Sequence, residues 1–106
     1  MGQKVKTIRE IVDEIRQLNG GGSKKDLQKK INLCFELMEL FCKSPEDAKN
    51  KGEISCHYAA TVLSSIVRKG LGTRTLNFTQ EFIGKLPLRT ELLLLESIPK
   101  MEGLPN

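Results

Sequence analysis

The sequence predicts an all-α protein, a compact single domain of about five helices. Apolar residues recur mostly at spacings of three and four, as they do along one face of a helix, and the alternating pattern of a strand is almost absent. The chain has 106 residues, of which 39% are hydrophobic and 28% charged. This composition is typical of one globular domain with a single modest core. We expect residues 1–98 to form the domain and residues 99–106 to be a tail or linker.

The first predicted helix runs from Lys4 to Leu18. Charged residues cover the side opposite its apolar stripe, and Lys6 and Glu10 are spaced for an ion pair worth a few tenths of a kcal/mol. We expect the glycine run at 20–22 to end this helix, because glycine adopts the left-handed conformation that closes helices. A short strand ribbon beside these glycines is the one alternative to helix in this region. The apolar stripe consists of Val5, Ile8, Ile11, Val12, Ile15 and Leu18.

The second predicted helix runs from Lys24 to Lys43. Ser23 is a favourable N-cap residue, and an acid follows it at Asp26, the capping-box spacing. The first turns are basic, whereas from Ile31 onward the helix is apolar nearly all round. A helix of that kind is buried among others. The second helix is therefore predicted to be the central post of the domain, with its lysine-rich start at the surface.

The third predicted helix runs from Ile54 to Lys69, after a short helix or 3₁₀ turn that begins with Ser44 and Pro45 and ends near Gly52. The two glycines at 70 and 72 are expected to end the third helix. Its inward face is predicted to consist of Ile54, Tyr58, Ala59, Val62, Leu63, Ile66 and Val67.

The fourth and fifth helices are predicted from Asn77 as an N-cap and from Leu88, with Pro87 between them. Pro99 is expected to end the fifth helix, since proline cannot continue one. The leucine run 92–95 is predicted to be buried on several sides. The inward side chains of the fourth helix are predicted to be Phe78, Phe82, Ile83 and Leu86.

Few residues suit catalysis or metal binding. The chain has a single histidine, His57, next to Cys56, and neighbours on a helix project about 100° apart, which is poor geometry for a nucleophile and its base. The cysteines 34, 42 and 56 lack the closely spaced pairs of a structural zinc site. We therefore predict no enzymatic activity, no metal and no cofactor, and interpret the cysteines as reduced core thiols of an intracellular protein.

The glycine run followed by Lys24 and Lys25 superficially resembles a phosphate-binding loop. The spacing G-x-x-x-x-G-K-[ST] and the preceding strand are both missing, which argues against nucleotide hydrolysis. A glycine-rich turn that leads into a helix with flanking lysines is nevertheless suited to an anion, whether a lipid headgroup or a nucleic-acid phosphate.

Positive charge is concentrated at the start of the chain. Residues 1–30 contain eight Lys and Arg against four acids, a surplus of +4 that equals the net charge of the whole chain. Such a segment favours an anionic partner, either acidic membrane lipid or RNA. No aromatic residue occurs in this segment to stack on bases, which argues against sequence-specific RNA recognition. The eight cations are Lys4, Lys6, Arg9, Arg16, Lys24, Lys25, Lys29 and Lys30.

The sequence contains no long apolar run and no leader pattern. Its longest run of apolar residues is Leu92–Leu95, whereas a membrane-spanning helix needs about 20. We expect neither a transmembrane helix nor a signal peptide.

The order of these features resembles the matrix domain at the N-terminus of retroviral Gag polyproteins, particularly the lentiviral kind. The likeness rests on a Met-Gly-Gln start, an amphipathic first helix, a basic glycine turn and an E-L-x-x-F-like stretch in the second helix. The residues that carry it are Met1-Gly2-Gln3, the segment IRQLNGGGSKK at 15–25, Lys29-Lys30-Ile31 and the segment FELMELF at 35–41.

The resemblance implies a five-helix globule that directs Gag to the inner face of the host plasma membrane and supports virion assembly. It implies that Gly2 carries a myristoyl chain once Met1 is removed, and that a polybasic patch supplies the second membrane signal. It further implies binding of acidic inner-leaflet lipid such as phosphoinositide, RNA binding by the same patch, and a homo-oligomer, a trimer in that family. The matching basic positions are Arg16, Lys24, Lys25, Lys29 and Lys30.

Two other functions stay open on the sequence. One is a helical protein–protein interaction module, such as a fragment of a HEAT-like scaffold, which the segment Leu88–Ile98 after a proline suggests. The other is a nonspecific RNA-binding domain, which the basic segment alone would support.

Overall fold

The computed structural model describes residues 6–20, 22–44 and 51–103. These residues form five helices, α1 (Ile8–Leu18), α2 (Lys24–Lys43), α3 (Lys51–Ser64), α4 (Leu71–Glu81) and α5 (Leu88–Met101). The predicted all-α architecture is confirmed, and the described ranges contain no strand, so the alternative ribbon beside the glycines is wrong. Gly2, Lys4 and most of the short helix predicted from Pro45 lie outside the described residues.

Helix α1 begins later than the apolar pattern alone predicts because Thr7 caps it. The Thr7 hydroxyl accepts a hydrogen bond from the Glu10 backbone N–H at 3.2 Å, and the Glu10 carboxylate accepts one from the Thr7 N–H at 3.1 Å. This reciprocal capping box satisfies two N–H groups that have no partner within the helix. Ile11 and Ile15 are fully buried, and α1 packs against α2 and α3.

Helix α2 has the predicted bounds, but it shares the central position with α3, which packs against α1, α2 and α5, so the prediction of a single central post is wrong. The Ser23 hydroxyl accepts a hydrogen bond from the Asp26 N–H at 3.1 Å, as its position predicts. α1 and α3 pack against α2, and an edge-to-face contact between Phe35 and Phe78, with ring centroids 5.3 Å apart, joins it to α4. Its buried side chains are Ile31, Leu33, Cys34, Phe35, Leu37, Met38, Phe41 and Cys42.

Helix α3 ends at Ser64 and not at Lys69, so the predicted end is wrong. Hydroxyl groups donate to backbone carbonyls of its last turn, Ser64 Oγ to Thr61 O at 2.9 Å and Ser65 Oγ to Val62 O at 2.6 Å, in addition to the Ser65 N–H. Serine and threonine offer such local bonds as an alternative to continuing a helix. The chain then leaves the helix, and residues 65–70 form a connector.

Two side chains that the pattern places inside, Ile54 and Val67, are 65% and 74% exposed. α3 starts at Lys51, three residues before the predicted start, and Val67 lies beyond its end in the connector. Val67 is exposed because the helix ends before it. Ile54 lies within α3, but the buried face of that helix consists of Cys56, Ala59, Ala60 and Leu63. A step of two residues from Cys56 is a rotation of about 200°, so Ile54 lies on the opposite side.

Helix α4 begins at Leu71, so the prediction that Asn77 caps it is wrong. Gly70 precedes the helix with φ +92°, a left-handed conformation that favours glycine. The cap comes from the end of α5, where the Glu102 carboxylate accepts hydrogen bonds from the N–H groups of Gly70 at 3.1 Å and Thr73 at 2.6 Å. A negative charge at this position also complements the positive end of the helix dipole.

Helix α5 continues through Pro99 to Met101, so the prediction that Pro99 ends it is wrong. Burial of Met101, which is 1% exposed, favours continuing the last turn. The helical unit thus reaches past Ile98, where the sequence suggested that a tail begins.

The leucines of α5 are not buried on several sides as predicted. Leu94 is fully buried, whereas Leu92 and Leu95 are 51% and 43% exposed. α5 packs against α3 and α4 on one side only, so the other side faces solvent. Ile83, just before α5, is likewise 67% exposed and not inward as predicted. None of the described helices combines the length and apolar character that crossing a bilayer requires.

Gly72 allows α4 and the end of α5 to approach closely. A methyl group there would lie 2.8 Å from the Ile98 carbonyl oxygen and even nearer to the Glu102 side chain. We expect Gly72→Ala to lower the free energy of unfolding by about 1–3 kcal/mol, through overpacking. Urea denaturation measures this, with Gly20→Ala as the control, since nothing lies within 4 Å of a methyl group there. Equal stability of both variants would contradict the close approach.

The Glu102 cap makes stability depend on pH. Its hydrogen bonds with Thr73 and Gly70 lower the pKa of the carboxyl group. A lowered folded-state pKa contributes stability above the ordinary carboxyl range, about pH 4–5, and that stability is lost as the pH falls toward the folded-state pKa. We expect Glu102→Gln to flatten this acid-side decline in the free energy of unfolding relative to the unaltered chain. The exposed Glu96→Gln is the control, and a parallel decline in all three proteins would argue against the cap.

Candidate anion-binding surface

The start of α2 presents three exposed lysines, Lys24, Lys25 and Lys29. Lys25 and Lys29 are one helical turn apart, so their side chains are neighbours on the helix surface. Lys30 is half-buried and lies on another side of the helix, near Cys34, where its charge offsets a small part of the rise in the thiol's pKa that burial causes. The first two turns of α2 therefore place three of the four predicted lysines in solvent.

Two arginines from distant parts of the sequence join this end of α2. The Nη1 group of Arg68 donates to Gln28 Oε1 at 2.8 Å, and that of Arg74 donates to Asn32 Oδ1 at 2.9 Å. Gln28 Nε2 in turn donates to Asn32 Oδ1 at 3.1 Å. Gln28 and Asn32 lie beside the lysine row on the helix, so both guanidinium groups are added to its edge.

Packing also holds Arg74 in place. Its guanidinium carbon lies 4.3 Å from the centroid of the Phe35 ring, which is within the range of a cation–π contact. Phe35 itself is a core residue of α2. The charge of Arg74 is thus fixed by a hydrogen bond on one side and an aromatic ring on the other.

An open cleft of about 220 Å³ lies between α2 and the connector that leads into α4. None of its lining residues is acidic, although the carboxylate of Glu102 is near enough to Lys69 for the two charges to interact. Together with the lysine row the cleft forms one surface, which we call the basic flank, composed of Lys24, Lys25, Lys29, Arg68, Lys69 and Arg74. The residues that line the cleft are Gln28, Ile31, Arg68, Lys69, Gly70, Leu71 and Arg74.

Lys6, just before α1, and Arg16, within it, make contacts away from the basic flank, whereas the sequence suggested that they join the other predicted cations. Lys6 forms an ion pair with Glu14, with Nζ 2.8 Å from Oε2, and not with the predicted partner Glu10. The hydrogen bond to Glu14 raises the pKa of Lys6, and nearby carboxylates add to the effect. Lys6 is therefore surrounded by negative charge and is a poor site for an anion. Arg9 is exposed.

Arg16 is directed toward α3. Its guanidinium carbon lies 5.9 Å from the centroid of the Tyr58 ring, and the Tyr58 hydroxyl accepts a hydrogen bond from Asn19 Nδ2 at 3.1 Å. Arg16 is exposed, and its contact among the described residues is with Tyr58 on α3 and not with the lysine row. Of the predicted binding residues, the structure brings together Lys24, Lys25 and Lys29.

Sequence reasoning missed Arg68, Lys69 and Arg74. The two arginines lie about 40 positions from their hydrogen-bond partners on α2. The only local signal is the basic pair 68–69 directly before Gly70 at a helix start. Nothing in the pattern around Arg74 indicates that it packs on Phe35.

The candidate catalytic groups are engaged or buried. The Nδ1 atom of His57 lies 3.0 Å from the Thr90 hydroxyl oxygen, and burial, with a smaller effect of Arg89, lowers the pKa of the imidazole. The three cysteines are free and buried, as predicted. Burial raises the pKa of Cys34 and Cys56 to about 12 and that of Cys42 to about 11. Within the ranges that the structure describes, no group of three or more His, Cys, Asp or Glu is placed to hold a metal ion.

No known protein family, curated protein sequence or solved structure matches this chain. The likeness to retroviral matrix domains therefore rests only on Met1-Gly2-Gln3 and the segments at 15–25, 29–31 and 35–41.

The thiols are expected to be unreactive in the folded protein. Thiolate is the reactive form, and at pH 8 thiols with a pKa of about 11–12 are almost fully protonated. We expect a chromogenic disulfide reagent to label the folded chain only through slow opening, and to label all three cysteines rapidly in urea. Rapid reaction of one thiol in the folded state would contradict this, and would reopen a nucleophilic role.

Proposed function

We propose that this chain is a noncatalytic structural module that binds anionic membrane surfaces through the basic flank. The observation that carries the proposal is the convergence of six cationic side chains from α2, the connector and α4. The amides of Gln28 and Asn32 hold both guanidinium groups among them. A Lys or Arg near an acidic bilayer contributes about 1 kcal/mol of attraction, so six together supply several kcal/mol.

The aromatic residues favour a lipid or phosphate partner over single-stranded RNA. Stacking of bases needs exposed aromatic faces beside the cations. The two rings beside basic residues are Phe35 and Tyr58, and each is already covered by a guanidinium group, from Arg74 and Arg16 respectively. The surface thus offers charge without a stacking platform, which suits a densely anionic bilayer better than bases.

The likeness to the Gag matrix domain supports the same function. The basic glycine turn and α2, which carry the likeness, also form the lysine row of the basic flank, which consists of Lys24, Lys25 and Lys29. In the proposed role the chain acts at the inner face of the host plasma membrane and in the virion. A myristoyl chain on Gly2 would add a second, hydrophobic signal to the electrostatic one. The electrostatic part of the proposal does not depend on that modification.

The state of the candidate catalytic groups supports a noncatalytic role. The buried thiols are protonated at neutral pH, and the imidazole of His57 is engaged with Thr90. Neither arrangement provides an activated nucleophile with an adjacent base.

Removing two charges from the basic flank should weaken binding to acidic vesicles. We expect Lys25→Gln with Lys29→Gln to lower the partition coefficient onto phosphatidylserine-containing vesicles about 30-fold, the equivalent of about 2 kcal/mol. Vesicle sedimentation at low salt measures it.

The matched control removes two lysines near the C-terminal end of α2, Lys43 of that helix and Lys85 of the segment between α4 and α5. Lys43 pairs with Glu39 there, and Lys85 is close enough to Cys42 for its charge to offset part of the rise in the thiol's pKa that burial causes. Lys43→Gln with Lys85→Gln gives the same net charge and should change binding less than threefold. Equal losses in both double variants would mean that net charge, and not the basic flank, determines attachment.

Competition between RNA and acidic vesicles distinguishes the RNA-binding alternative from the membrane-binding function. Binding to acidic vesicles and to RNA both weaken with salt, so salt dependence alone does not distinguish them. If the basic flank serves membranes, acidic vesicles should displace RNA from the chain at matched phosphate concentration. Displacement in the opposite direction would favour the RNA-binding function.

A further inference from the structure

Helix α5 carries an exposed leucine stripe. Leu88, Leu92 and Leu95 are 71%, 51% and 43% exposed and are spaced four and three residues apart, so they lie along one side of the helix. The opposite side carries the buried residues Thr90, Leu94, Ser97 and Met101, which pack into the domain. The spacing of the stripe is that of a coiled-coil seam, directed away from the protein's own core.

Two opposite charges border this stripe on the same side. Arg89 and Glu96 are exposed and seven residues apart, so they have the same orientation on the helix but are separated by about 10 Å along its axis. They are too far apart to pair with each other. In the part of the chain that the structure describes, neither takes part in an ion pair.

We propose that the leucine stripe binds a second copy of this chain, with the two α5 helices antiparallel across a twofold axis near Leu92. In this arrangement the stripes interleave as the a and d positions of a short antiparallel coiled coil. Arg89 of each copy then lies beside Glu96 of the other, so the twofold axis generates two reciprocal ion pairs. A contact of this kind is self-complementary, as a twofold interface must be.

The charge balance of α5 favours a second copy over a bilayer. The helix carries Arg89 and Lys100 against Glu91 and Glu96, so it has no net charge to attract an acidic membrane. α5 packs on α3 and α4, whereas the basic flank is centred on α2. The proposed contact is thus independent of the lipid-binding proposal.

The interface is small, and the dimer should be weak. A helix of 14 residues is about 21 Å long, which places the contact among small interfaces that form reversibly. Self-association is therefore expected to depend on concentration.

Sedimentation equilibrium of the full chain from about 10 µM to about 1 mM tests the contact, since weak complexes dissociate in this range. We expect a monomer–dimer equilibrium for the unaltered chain, and a monomer throughout for Leu92→Glu. The matched control is Ile54→Glu, which alters an exposed apolar residue on α3 and should leave the dimer unchanged. Circular dichroism confirms that both variants keep their helices.

A charge exchange tests the antiparallel geometry. Arg89→Glu gives a chain with acids at both positions, and Glu96→Arg gives one with arginines at both, so each alone should dimerise more weakly than the unaltered chain. An equimolar mixture should form a heterodimer about tenfold tighter than either variant alone, because both reciprocal pairs are restored.

Three results would overturn the proposal. The first is a chain that stays monomeric at the highest concentration, whether or not it binds neutral vesicles through α5. The second is a dimer that survives Leu92→Glu. The third is a mixture of the two charge variants that associates no better than either variant alone. A different antiparallel register or a parallel pair would give the third result.

Discussion

Helix α2 has apolar side chains on most of its sides, and burying them positions α1, α3 and α4, whereas α5 packs against α3 and α4. α1 and α3 pack along it, and the contact between Phe35 and Phe78 brings in α4. Six of the eight buried residues of α2 are large apolar side chains, each of which contributes about 1.5–3 kcal/mol on removal from water. The other two are cysteines, and α2 contributes more buried side chains to the core than any other described helix. The first turns of the same helix are polar, so burying them would bring no gain in free energy, and they remain at the surface.

The basic flank is a consequence of this packing. The same Phe35 that belongs to the core of α2 supports the guanidinium group of Arg74. The amides of Gln28 and Asn32 extend the arrangement along the first turns of α2 and hold both arginines beside the lysines. The core therefore supports Arg74 directly through Phe35, and Arg68 is held by the amide of Gln28 at the surface, whereas Lys24, Lys25 and Lys29 are exposed. The held guanidinium groups of the arginines beside the exposed ammonium groups of the lysines suit a surface of many similar anions, such as a bilayer. Self-association through α5 would bring two basic flanks into one complex and so double the number of contacts with that surface.

Local sequence predicts what depends on local contacts and fails where distant residues decide. The bounds of α2 follow from the Ser23 cap and the apolar pattern, and both are confirmed. The start of α4 was missed because its cap, Glu102, lies about 30 positions away. The candidate site divides in the same way. The exposed lysines could be located from the helix pattern, whereas the pairing of Lys6 with Glu14 and the position of Arg74 depend on which side chains tertiary packing brings together.

Paramagnetic relaxation in bicelles tests the central claim most directly, because it reports which surface faces the lipid. In acidic bicelles that contain a spin-labelled headgroup, the amide signals of residues 24–32 and 68–74 should broaden most. Neutral bicelles should leave the whole spectrum unchanged. Broadening centred on α5, or equal broadening with neutral lipid, would contradict attachment through the basic flank.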